Sequence, residues 1–153
     1  MPGSKFVYVT YIRTTPEKLW QALIDPKFTK QYWAGTHQES DWKIGSDWKI
    51  MIPDGRVGDS GKVIEFDRPR RLKVSWRNEF IPELKAEGYT YCTYELEPAG
   101  SAIKLTVTHE APIDNSVTIE KVSGGWPHLL ASLKSLLETG ESLIESRKWP
   151  EGV

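Results

Sequence analysis

Apolar residues recur along this chain in two periods. Across its middle they alternate. Trp48, Ile50 and Ile52 interleave with Asp47, Lys49 and Met51, and Leu72, Val74 and Trp76 with Lys73, Ser75 and Arg77. Cys92, Tyr94 and Leu96 oppose Thr93, Glu95 and Glu97, while Ile103, Leu105 and Val107 oppose Lys104, Thr106 and Thr108. Period two is the mark of strands with one buried and one solvated face, as in an antiparallel sheet covered on one side. Turn residues at Lys43-Ile44-Gly45-Ser46, Pro53-Asp54-Gly55, Asp67-Arg68-Pro69-Arg70 and Pro98-Ala99-Gly100 punctuate the pattern. They predict strands near 39–42, 47–52, 60–67, 71–79, 89–98 and 101–110. Loops are predicted at 58–60, 80–88 and 111–115.

Near the end the period changes. Trp126, Leu130, Leu133 and Leu137 fall at helical spacing, and Leu129 and Leu136 widen the stripe. The pattern predicts a helix over about 125–139, with Ser123 and Pro127 as start residues and Gly140 as the stop. Helical structure should begin nearer Ser116, with a kink or break where Gly124, Gly125 and Pro127 weaken it. So broad a stripe needs one large apolar surface, which places this helix across the mouth of a curved sheet.

The beginning of the chain predicts a strand over 5–12 and then two short helices. Thr15, Pro16 and Glu17 open the first, with Leu19, Trp20 and Leu23 on its apolar face; Asp25-Pro26 ends it and caps the second, which carries Phe28, Tyr32 and Trp33. The tail at 147–153 is expected to be poorly ordered.

Composition narrows the function classes. A length of 153 residues suits one domain with a real core. Twenty basic against 21 acidic residues leave no basic field for nucleic acid. The single Cys92 cannot form an intrachain disulfide, and three scattered histidines add no zinc-ligand spacing. Gly55, Gly58 and Gly61 lack the lysine–serine pair of a phosphate loop, and Ser123 lacks a nucleophile elbow. No metal or other cofactor is therefore expected. No signal peptide or membrane span is evident, so the expectation is a cytoplasmic protein, monomeric or weakly dimeric.

Seven tryptophans and six tyrosines exceed what a small core requires. The inward positions collect Trp48, Trp76, Tyr94 and Leu105 from the sheet, Trp33 from the second helix, and Trp126, Leu130 and Leu133 from the last. Such walls either collapse on one another or bind a flat hydrophobic molecule. His109 continues the inward register and, with Tyr94, can hydrogen-bond a guest or serve the structure; His128 should be solvated and His37 should lie in a loop.

Several stretches sharpen the class. Thr15-Pro16-Glu17-Lys18-Leu19-Trp20-Gln21-Ala22-Leu23 followed by Asp25-Pro26 resembles the opening signature of the START-like (SRPBCC) superfamily. Tyr32-Trp33 resembles its paired tryptophans, and Gly61 to Glu65 with Pro69 and Leu72 to Trp76 its central motif. Gly125-Trp126 before the leucines resembles its closing helix. Together they resemble the heat-shock-protein-90 ATPase activator homologue-like branch. The resemblance implies an α+β helix-grip fold, a curved antiparallel sheet of about seven strands wrapped around a long C-terminal helix. Three functions stay open. The first is a carrier or sensor of a small aromatic, lipid-like or polyketide-like molecule. The second is a protein-interaction domain that stimulates a chaperone ATPase, and the third a cyclase or hydrolase using His109 and Tyr94.

Overall fold

Strand β1 (Ser4–Ile12) opens the chain and is followed by helices α1 (Pro16–Ile24) and α2 (Pro26–Tyr32) in a computed structural model that describes residues 3–153. Both helices start as their sequences dictate. The Thr15 hydroxyl accepts from the Lys18 N–H at 3.2 Å, and the Asp25 carboxylate from the Lys27 N–H at 2.9 Å. Leu19, Trp20 and Leu23 are buried, as their spacing requires.

Six strands follow: β2 (His37–Ser40), β3 (Asp47–Met51), β4 (Val57–Asp67), β5 (Arg71–Asn78), β6 (Thr90–Ala99) and β7 (Ala102–Ala111). They pair antiparallel in the order β1-β7-β6-β5-β4-β3-β2, so the first strand closes against the last. The curved sheet wraps a single long helix, α4 (Val117–Thr139), giving the α+β helix-grip fold. The alternation fixes the buried face: Trp48, Ile50, Leu72, Val74, Trp76, Cys92, Tyr94, Leu96, Ile103, Leu105 and Val107 all enter one core with Trp126, Leu130 and Leu133 of α4. Each fully buried leucine in it contributes about 1.5–3 kcal/mol by burial.

The structure departs from the sequence pattern in five places. Helix α4 is unbroken through Gly124, Gly125 and Pro127, because tertiary contacts at both ends hold a segment of poor intrinsic propensity. Its cap is Ser116, whose hydroxyl accepts from the Ile119 N–H at 3.1 Å; Ser123 lies inside the helix and donates to the Glu120 carbonyl. The first meander strand sits two residues earlier than expected, which puts His37 in β2 with its Nε2 2.9 Å from Glu39. The 58–60 segment belongs to β4, and a short helix α3 (Pro82–Glu87) occupies part of the 80–88 loop. The tail folds back: the Trp149 ring packs edge-on to Phe80 at 5.6 Å.

Candidate functional site

The sheet and α4 deliver the predicted residues to one place. Trp76 of β5 is the hub. Its ring lies 4.9 Å from Trp48, 5.0 Å from His109, and 5.9 Å from both Trp33 and Trp126. Trp33 and Trp126 approach at 5.6 Å, and Tyr94 stands edge-on to Trp126 at 6.0 Å. Leu105, Leu130 and Leu133 are fully buried in the same core cluster. Trp33 alone of the nine stays partly exposed. Each ring packs on at least one other, so the inward aromatic residues lie against one another.

Among the described residues a notch of about 160 Å³ opens beside them, lined by Trp33, Trp76, Val122, Gly125, Trp126 and Leu129. Gly124 and Gly125 point their missing side chains at open space. A wider depression of about 760 Å³ lies elsewhere, between Ile24, Trp42, Lys49 and Lys62, and none of the predicted residues lines it.

The polar groups around the tryptophan cluster are paired, whereas the Trp20 indole N–H and the Thr29 and Thr118 hydroxyls are buried without a partner. The Trp126 indole N–H donates to His109 Nδ1 at 3.2 Å, so the ring proton sits on Nε2 and is donated to the Thr90 hydroxyl at 2.8 Å. That hydroxyl in turn donates to the Trp76 backbone carbonyl at 3.0 Å. Burial holds His109 down at about 3, so it is neutral across the physiological range. Both its nitrogens serve the protein, and the relay ties α4 to three strands. Burial also pushes the Tyr94 phenol well above its usual range. The Trp48 N–H donates to Gln38 Oε1 at 2.8 Å, and Gln38 in turn donates to the Leu23 carbonyl.

Asp59 is the residue that the sequence pattern did not reveal. It shares the inward register of β4 with Val63, and its Oδ1 accepts from the Trp76 N–H at 2.8 Å and from Asn78 at 3.4 Å. Desolvation pushes its carboxyl up to about 7, helped by the Glu79 charge and opposed by the two hydrogen bonds. The residue as a whole is half-buried, while protein crowds the carboxyl enough to desolvate it. Reading 58–60 as a loop hid it; the alternation continued one step beyond Gly61 was the available signal. Among the described residues no cluster of three His, Cys, Asp or Glu side chains stands ready for a metal ion. No helix among them is long and apolar enough to cross a membrane.

A family model described as "Activator of Hsp90 ATPase homolog 1-like protein" matches residues 13–138. The chain belongs to this family. No curated protein matches the activator-homologue chain in sequence. Solved structures share its fold. A protein from Mesorhizobium loti is 20% identical with a TM-score of 0.74, over 88% of this chain and 97% of that one. The Aha1 dimer from Colwellia psychrerythraea is 20% identical with a TM-score of 0.73, over 91% and 99% of the two chains. A protein from Cytophaga hutchinsonii is 25% identical with a TM-score of 0.70, over 92% and 97%.

Proposed function

We propose that this activator-homologue chain is a protein-interaction domain that docks on a chaperone ATPase and changes its turnover. The carrying observation is the filled interior. Trp33, Trp48, Trp76, Tyr94 and Trp126 pack on one another, His109 is bonded at both nitrogens, and the opening beside these rings is a shallow notch. A carrier needs a preformed cavity of several hundred Å³ for a drug-sized guest. The family description adds the chaperone ATPase as partner. The test is the steady-state ATPase rate of an Hsp90-class chaperone with increasing amounts of this chain, alongside a direct binding measurement. A concentration-dependent change in rate supports the reading; no binding and an unchanged rate overturn it.

A second reading, uptake of a small apolar molecule, draws on the notch itself. Its volume suits about one aromatic ring, comparable to engineered cavities of about 150 Å³ that accept benzene. On this reading Trp33, Trp76 and Trp126 grip the guest, and the leucines and Tyr94 behind them only support the walls.

A further inference from the structure

We propose that Glu87 is a latch that holds the first turns of α4 closed over the aromatic interior, and that Gly124-Gly125 is the hinge on which they open. The latch is a contact between distant parts of the chain. Glu87 ends α3, and its carboxylate accepts from the Ser116 hydroxyl, from the Val117 N–H at 2.8 Å and from the Thr118 N–H at 3.3 Å. Those are N–H groups that the helix itself leaves unpaired, and a negative charge there is favoured by the helix dipole. The same hydrogen bonds hold the Glu87 carboxyl below its usual range against the burial that raises it.

The hinge is equally specific. Pro127 has no N–H to give to residue 123, so one rung of the ladder is missing. The two glycines just before it are poor helix formers, and an added Cβ at either would meet nothing within 4 Å. Packing therefore does not explain their presence. Beyond the hinge, Trp126 is pinned to His109 and Leu130 and Leu133 are buried, so the rest of α4 stays seated.

Opening lifts Val122 and Gly125, two walls of the notch, away from Trp33 and Trp76. It also uncovers Thr118 and Ile119, which are buried in the closed form, so the closed form is the ground state. Local opening of this kind belongs to the low-stability end of a fold. It turns a shallow notch into a slot between stacked indoles without disturbing the sheet. The inference does not depend on which partner or guest the chain takes.

Hydrogen exchange on the full chain reads the opening without any partner. Glu87→Gln keeps the size of the side chain but replaces an acceptor by a donor. Amides at 118–125 should exchange about tenfold faster, as a lost helix cap implies, while those at 130–137 and in β5–β7 keep their wild-type rates. Adding Gly124→Ala and Gly125→Ala to that variant should return 118–125 toward wild type. The two alanines in the wild-type background should slow the same amides. Uniform acceleration across the molecule, an unfolded Glu87→Gln, or alanines that leave 118–125 unchanged would each overturn the latch and hinge.

Discussion

Replacing Asp59 by asparagine should reshape the dependence of stability on pH. In the unfolded chain this carboxyl has an ordinary value near 3.8, and in the fold it sits at about 7. Between those values the folded state holds a proton that the unfolded state has lost, so stability falls as pH rises through the window and levels off above it. Each tenfold in proton affinity is about 1.36 kcal/mol, which sets a ceiling near 4 kcal/mol. Asp59 is only half-buried as a residue, and solvent screening lowers the expected figure to roughly 1–3 kcal/mol. His109 works in the opposite sense. Its folded value of about 3 lies below the ordinary 6.5, so it removes stability as pH falls below 6.5. In wild type the two slopes oppose each other, and the stability curve should be nearly flat between about pH 5 and 7. Glu79, Glu87 and Glu138, all held below the usual carboxylate range, act only at more acidic pH. Asparagine still offers an oxygen to the Trp76 N–H and carries no charge. Urea denaturation of both proteins from about pH 5 to pH 8.5 makes the comparison. The variant should be the more stable at the alkaline end, and its curve should climb from acid to neutral pH. Parallel curves, or a variant less stable at pH 8.5, would refute the account of a desolvated Asp59.

Three further substitutions and one titration probe other parts of the structure. A Cβ at Gly61 would sit 1.8 Å from the Ser75 carbonyl oxygen, so Gly61→Ala should cost roughly 3 kcal/mol or more by urea denaturation. Thr90→Val leaves the His109 Nε2–H buried without an acceptor, and calorimetry should show a loss of about 1–3 kcal/mol. Leu133→Ala, at a fully buried position, should lose about 2–5 kcal/mol; a near-neutral result would remove α4 from the core. Titrating flat aromatic probes against tryptophan fluorescence separates the two functional readings. Binding weakened about tenfold by Trp126→Ala but not by Arg77→Ala, on the opposite sheet face, would place the guest in the notch.

The fold was legible because its signals are redundant. Alternation in β3, β5, β6 and β7 put every inward residue on the correct face, and the Thr15 and Asp25 caps marked helices that form where their chemistry requires. The unbroken α4 was not legible. Local propensity around Gly124, Gly125 and Pro127 argues for a break, and what overrides it, the Glu87 carboxylate and the Trp126–His109 bond, comes from segments distant in sequence. The inward pattern placed the nine candidate residues in or against one core, yet their state inside it was beyond the pattern. Periodicity says which way a side chain points, and only the closeness of approach decides between a cavity and a packed stack. Asp59 was missed for a related reason, since a charged residue among turn-forming neighbours reads as loop unless the strand beyond it is already known.

The pairing of β1 with β7 also bears on how the molecule assembles. Ser4 meets Ala111 and Ile12 meets Ile103, so β1 has no partner until β7, the last strand of the sheet, has been made. Closing so long a loop before any reward from the pairing slows folding, and an unmatched strand of alternating apolar residues is exposed to association with other chains meanwhile. In the finished molecule that edge is guarded from the far end of the sequence. Lys134 reaches the Tyr11 carbonyl, and Glu138 accepts from the Arg13 N–H at 2.8 Å. Helix α4 thus seals the strand that opens the sheet, and the nascent chain stays vulnerable there until α4 itself has been made.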